Sequence, residues 1–346
     1  MYIRSIVLGI ALLSWGASAA KSETTPIVIS YQPNLIWSLP IYIATEKKWW
    51  AEAGLNPTFV TFPAGAPQIA AAASKSWDVG ATGGIPAVLG AVNYGIETIG
   101  LGADESLVDQ LMVKSAKLDY YKSDPKQIKG KQILLTANST GDYVVTKCLA
   151  MFGVSKKDVQ IVNMGQAQII SAMGSNNADL AGVWEPNNFL LEENADSTKL
   201  CSGKDAGAVV LVPLVARREY GSQYPDRVAR FLATYLRGVA WMRTNREETK
   251  SLFKSFLTNG GLTLKDSSIN GLIDGNKLFD LDEQLQVFTR AGSGPSQVDK
   301  WMLDMSEFMK SVGSLREAPA ATEYITDKYL RKVADDSSLR SLASKP

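Results

Sequence analysis

The feature that most constrains this 346-residue chain is a helix–turn–strand–loop unit that occurs twice, one hundred residues apart. Gln68-Ile69-Ala70, Trp77-Asp78-Val79 and Pro86 are matched by Gln168-Ile169-Ile170, Ala178-Asp179-Leu180 and Pro186. The match is architectural rather than residue by residue. It implies two similar α/β domains, which suits a chain of this length and a hydrophobic content of 45%.

The local signals around both units agree. In the first half, strands are predicted at Pro26–Tyr31, Thr58–Phe62, Asp78–Ala81 and Glu97–Leu101. Helices alternate with them: one opened by Ser38-Leu39-Pro40 and running to about Ala53, with Gly54 as a left-handed stop; one opened by Gly65-Ala66-Pro67; and one from Ile85-Pro86 to Tyr94, ended by Gly95. In the second half, strands are predicted at Gln132–Thr136, Val159–Val162 and Leu180–Val183, with helices at Asp142–Phe152 and Gln166–Met173. This βαβ spacing predicts a mostly parallel sheet. Beyond Leu214 the chain reads as mainly helical, with a long helix opened by Pro225-Asp226 and a polar, frayed tail at 331–346.

The first nineteen residues read as a secretory leader rather than as part of the fold. Arg4 gives a positive start, Ile6 to Trp15 a short apolar run, and Ala17-Ser18-Ala19 an A-x-A cleavage site. The run is about half of the ~20 apolar residues that span a bilayer. Export, with cleavage near Ala19, is therefore expected. In an oxidising compartment Cys148 and Cys201 either pair or remain two buried thiols, and sequence alone leaves both open.

Composition narrows the chemistry. The chain contains no histidine, which excludes a Ser-His-Asp or Cys-His nucleophile, a histidine-bearing zinc site and any histidine acid–base step. No carboxylates are paired by spacing for hydrolysis. No cofactor or metal is expected, nor an enzyme that depends on such groups. The net charge of +1 offers no basic face for nucleic acid.

Six segments in order resemble the periplasmic substrate-binding proteins of the nitrate/sulfonate/taurine type of ABC importers. They are Ile-Ser-Tyr-Gln at 29–32, the run from Ala44 through Glu46 to Leu55, Phe-Pro-Ala-Gly at 62–65, Asp-Val-Gly-Ala-Thr-Gly at 78–83, Ile-Lys-Gly-Lys-Gln-Ile at 128–133 and Val-Trp-Glu-Pro at 183–186. The resemblance implies a bilobed periplasmic-binding-protein fold (type II), two α/β domains joined by a two-crossing hinge. Lobe 1 is expected at 26–112 plus 213–330 and lobe 2 at 113–212, with crossings near 110–116 and 210–216. It also implies a small organic sulfonate, or a related anion or zwitterion, held in the cleft by hinge closure. The protein would pass it as a monomer to an inner-membrane permease with its cytoplasmic ATPase.

Ligands in open α/β sheets bind beyond the carboxyl ends of the strands. Gln32, Trp37, Ser38, Gly65, Ala66, Thr82, Gly83, Ser139, Thr140, Gly141 and Trp184 are the candidates on those loops. Helix starts supply free N–H groups for an anion, although the same residue types also serve as plain caps. Asp109, where related sulfonate and taurine binders carry an acid, and Glu185 would answer a ligand ammonium group; Asp104, Glu105 and Asp142 are further acids nearby, with capping or solvated roles as the alternative. The strand Val209–Val212 lacks the acid that the resemblance places there in taurine binders, which weakens taurine itself. Two alternatives stay open: a thiamine-precursor pyrimidine or other aromatic ligand, and a ligand-loaded protein that docks a membrane sensor.

Overall fold

The computed structural model describes residues 24–346 apart from 293. The leader expected at 1–19 lies outside the described residues. Among the described residues no helix is long and apolar enough to cross a membrane.

Among the described residues, eleven strands form two sheets. The first contains β1 (Thr25–Tyr31), β2 (Leu55–Thr61), β3 (Val79–Ala81), β4 (Ile96–Asp104), β10 (Leu211–Arg217) and β11 (Lys277–Leu278), in the order β11-β4-β10-β3-β1-β2. The second contains β5 (Gln110–Lys114), β6 (Gln132–Leu135), β7 (Gln160–Asn163), β8 (Leu180–Val183) and β9 (Ser197–Ser202), in the order β7-β6-β8-β5-β9. The matching of β1, β2 and β3 with β6, β7 and β8 is the hundred-residue repeat in three dimensions. In both sets the first strand pairs in parallel with the other two.

The sheets are mixed rather than mostly parallel. β10 runs antiparallel to β3 and β4, and β5 antiparallel to β8 and β9. Connectivity is the reason. The chain passes between the sheets at 105–109 and again at 203–210, and a strand entered from the hinge starts where its neighbours end. Both passages precede the expected 110–116 and 210–216, because residues 110–114 and 211–217 are already paired as strands.

Helix ends follow local chemistry where Gly can take a left-handed turn: Gly54, Gly95 and Gly153 have φ of 69°, 62° and 69°. The helix expected from Ser38 to Ala53 is broken. It runs Leu39–Glu46, turns at Lys48 (φ 61°), and resumes at Trp49–Glu52. The break accompanies burial of two adjacent tryptophans. Trp50 stacks on Phe231, and Trp49 packs edge-on against Trp241 beneath the Arg237 guanidinium. Ser38 is not a side-chain cap, because a 3-10 turn at Ile36–Ser38 already precedes the helix; its hydroxyl instead donates to the Gln32 carbonyl at 2.8 Å.

The C-terminal stretch expected to fray forms a helix, Ser337–Ser344. The Asp336 side chain caps it by accepting from the Ser338 and Leu339 N–H groups, and Ala343 is buried. It packs on the long helix Pro225–Thr244, which supplies the tertiary surface that a short polar helix needs. Cys148, in the helix Thr140–Met151, is bonded to Cys201 of β9, with Cα atoms 6.1 Å apart.

Candidate ligand-binding site

The loops at the carboxyl ends of β1, β2, β3, β4, β6 and β8 converge on one cavity between the sheets. It is lined by Gln32, Leu35, Trp37, Ala64, Gly65, Ala66, Gly83, Pro86, Glu105, Thr136, Ala137, Asn138, Ser139, Thr140 and Trp184.

The lobe-1 wall brings together the loops after β1, β2 and β3. Helices begin at Gly65 and Gly84, so their first N–H groups lack partners one turn back. Gly65 is required by space: a Cβ there would stand 2.3 Å from Pro86 Cγ and 2.9 Å from Thr82 Oγ1. Behind this wall lies a fixed amide network. Gln68 Nε2 donates to Ser30 Oγ and to the Ala81 carbonyl, both at 2.9 Å, and Gln68 Oε1 accepts from Gln32 Nε2 at 3.2 Å. The Gln32 side chain is thus oriented before any ligand arrives.

The lobe-2 wall presents side chains at the start of the helix Thr140–Met151. Ser139 caps it, accepting from Asp142 N at 3.2 Å, and donates its own proton to the Thr136 carbonyl at 2.6 Å. Its hydroxyl proton is therefore already committed within the protein. Asp142 is not the cap; it sits in the first turn, accepts from Asn138 N and pairs with Lys156. Thr140 lies against Gly83 of the other lobe, 3.1 Å from where a Gly83 Cβ would stand.

Three buried carboxyls surround the hinge side of the cavity. Glu105 Oε1 accepts from Trp37 Nε1 at 2.7 Å, and Oε2 makes no hydrogen bond to a described residue. Trp37 is held in turn, its carbonyl accepting from Tyr235 Oη at 2.7 Å. Asp109 is fully buried, and neither carboxyl oxygen has a hydrogen-bond partner among the described residues. Glu185 is equally buried, yet Oε1 accepts from Ile36 N at 2.9 Å and Oε2 from Asn276 Nδ2 at 2.6 Å.

Burial pushes all three acids up. For Glu105 the charges of Asp109 and Glu185 add to burial, and the Trp37 N–H opposes it. For Asp109 burial dominates; the Thr140 hydroxyl pulls down, without hydrogen-bonding geometry to either oxygen, and Asp104 pushes up. For Glu185 burial is again largest, opposed by its two donors. No Lys or Arg lines the cavity to balance these charges. The acids do not converge as a metal-ligand set among the described residues.

Of the thirteen residues expected from sequence, Gln32, Trp37, Gly65, Ala66, Gly83, Ser139, Thr140 and Trp184 line the cavity. Ser38, Thr82, Asp109, Gly141 and Glu185 stand behind its surface, all buried. Sequence reasoning missed Leu35, Ala64, Pro86, Thr136, Ala137 and Asn138 as lining residues, and Glu105 stood only among the nearby acids. Thr136 to Asn138 were findable: they directly follow β6, where the rule about carboxyl ends of strands points. Leu35 had no such signal, being one apolar residue in a loop.

Comparison with known proteins bears on the fold. The taurine-binding periplasmic protein of Escherichia coli (strain K12) is 24% identical over 323 residues, covering 90% of this chain and 95% of that one. The alkanesulfonate-binding protein from Xanthomonas axonopodis pv. citri, solved with MOPS bound, superposes with a TM-score of 0.71 at 16% identity, over 88% of this chain and 99% of that one. The periplasmic nitrate-binding protein from Synechocystis PCC 6803 gives a TM-score of 0.67 at 14% identity, over 90% and 89%. The fold is therefore that of periplasmic binding proteins. The family model described as NMT1/THI5 like matches residues 37–249, from Trp37 in the cavity wall to the helices behind it, and the chain belongs to that family.

Proposed function

We propose that this protein is the periplasmic solute-binding component of an ABC importer, and that it takes a small sulfonate bearing an ammonium group, or a related zwitterion. The observation that carries the reading is the bipolar cavity. Helix starts at Gly65, Gly84 and Thr140 offer N–H groups and partial positive charge to an anionic head. Glu105 lines the same cavity with one carboxyl oxygen that has no hydrogen-bond partner among the described residues, which suits a cationic end. The lobes are the two bodies, 24–104 with 211–346 and 110–202, that close over the ligand by bending at 105–109 and 203–210. The protein acts by binding, as a monomer, and delivers its ligand to a membrane permease. The relatives named for taurine, alkanesulfonate and nitrate support transport as the context.

A second reading is favoured by one observation: Trp37 and Trp184 both line the cavity, which suits a flat aromatic ligand such as a pyrimidine. Thermal shift on the mature protein separates the two. The panel holds taurine, ethanesulfonate, longer alkanesulfonates, nitrate and aminopyrimidines. Ligand at a hundredfold excess over its Kd stabilises by about 2.7 kcal/mol, a shift of several degrees. A response to taurine exceeding that to ethanesulfonate is the expected result. A response to pyrimidines alone overturns the zwitterion reading.

A further inference from the structure

Glu185 was expected in the ligand shell, and the structure gives it a different task. It follows β8 of the second sheet, directly after Trp184. Both of its hydrogen-bond partners belong to the first lobe. Ile36 N lies in the loop after β1, one residue before the cavity wall at Trp37, and Asn276 lies between the helix Asp266–Gly275 and β11. Both carboxylate oxygens are used, and the residue has no exposed surface. Trp184 and Glu185 thus divide two jobs in one loop: the first faces the cavity, and the second fastens that loop to the opposite lobe.

The other ties between the lobes differ in kind. Asp304 binds Tyr143 and, at 2.7 Å, Lys147, with its side chain 46% exposed. Glu193 accepts from Lys265 N at 2.9 Å and from Ser268 at 2.5 Å, in partly exposed surroundings. Ser314 donates to Asn138 at 2.6 Å. Exposed ties exchange protein partners for water at little cost. A carboxyl group sealed between the lobes keeps its two donors while the lobes are together. When they part, it and its two donors must each find water.

We propose that Glu185 is the closure latch of this protein: a positioning residue that sets how firmly the lobes hold any ligand without touching the ligand itself. The proposal rests on the binding reading above, and it makes a distinction that contact residues do not. Loss of a contact changes the preference among ligands. Loss of a latch weakens all of them by a common factor, mainly through faster release.

The test uses Glu185→Ala and Asn276→Ala, with taurine and ethanesulfonate as probes in calorimetry. Both variants are expected to weaken both probes by the same factor, tenfold or more, and to leave their ratio unchanged. Small-angle scattering at saturating taurine is expected to show a larger radius of gyration than wild type. A loss confined to taurine overturns the proposal, because Glu185 would then be answering the ammonium group. Unchanged affinity overturns it as well. Should Glu185→Ala not fold, Asn276→Ala gives the same answer from a half-buried residue outside the cavity. Should wild type bind neither probe, the ligand reading fails, and hydrogen exchange at the Ile36 amide still decides the latch. That exchange is expected to be at least tenfold faster in Glu185→Ala, and equal rates overturn the proposal.

Discussion

Asp109 and Glu185 are buried to the same extent a short way from one cavity, and they are opposite kinds of residue. Glu185 has a donor for each oxygen and its own place in the contact between lobes. Asp109 has a donor for neither. Burial alone is therefore a poor guide to what an acid does here. A carboxylate with its lone pairs filled is part of the scaffold. One left without donors is a cost that the folded chain carries, and it makes a cationic ligand end or a proton welcome nearby. Glu105 lies between the two cases, with one oxygen held by Trp37 and the other without a hydrogen-bond partner among the described residues.

The largest expected effect lies at that intermediate residue. Glu105→Gln should cost about 1.5–3 kcal/mol of taurine affinity, the worth of a hydrogen bond to a charged group, and leave ethanesulfonate nearly unchanged. Equal losses for both ligands, measured by calorimetry, would remove the carboxylate from the recognition of a cation.

Asp109→Asn should act in the other direction on stability. Removing an unpartnered buried carboxylate is expected to raise unfolding stability at neutral pH by about 1–3 kcal/mol in denaturant titration. A destabilised Asp109→Asn protein would mean that the Asp109 carboxyl has partners after all.

The same comparison predicts a pH dependence. Burial raises the folded-state pKa of Asp109 above its unfolded value, so the native state binds more protons than the unfolded chain once pH passes the ordinary carboxylate range. Stability should therefore fall as pH rises from about 4 toward and beyond neutrality, by at most about 1.4 kcal/mol per pH unit for one such group. Asp109→Asn should flatten that slope, and saturating taurine should reduce it. A wild-type stability that rises steadily from pH 5 to 8 would contradict the assignment.

The smallest effect is expected at Ser139. Its proton is committed to Thr136, so Ser139→Ala should lower stability by about 1 kcal/mol through the lost cap and change ligand affinity little. Thr140→Ala should show the reverse balance. If Ser139→Ala instead costs affinity and no stability, the hydroxyl turns to the ligand on binding.

Much of the architecture was legible from short-range signals. Gly54, Gly95 and Gly153 stop helices because few other residues adopt a left-handed turn without strain, and that preference is local. The apolar run Leu180 to Val183, buried throughout, marks a strand covered on both faces. Eight of the thirteen candidate residues line one cavity because the ends of parallel strands are ordered along the chain. The antiparallel β5 and β10 were not legible, since their direction follows from where the chain crosses between lobes. Nor was the break at Lys48, which accompanies the packing of Trp49 and Trp50 against residues nearly two hundred positions away.

By itself, then, the sequence determined the alternation of strands and helices, the repeat and the loops that face the cleft, because each depends on neighbours within a few turns of chain. Only the tertiary structure decided which acids are satisfied. Asp109 and Glu185 are the same chemistry on paper, and their difference lies in Ile36 and Asn276, donors brought from 149 and 91 residues away. A carboxylate's role is set by the donors within about 3 Å of it, and in this fold those donors are brought by tertiary contact rather than by neighbours in the chain.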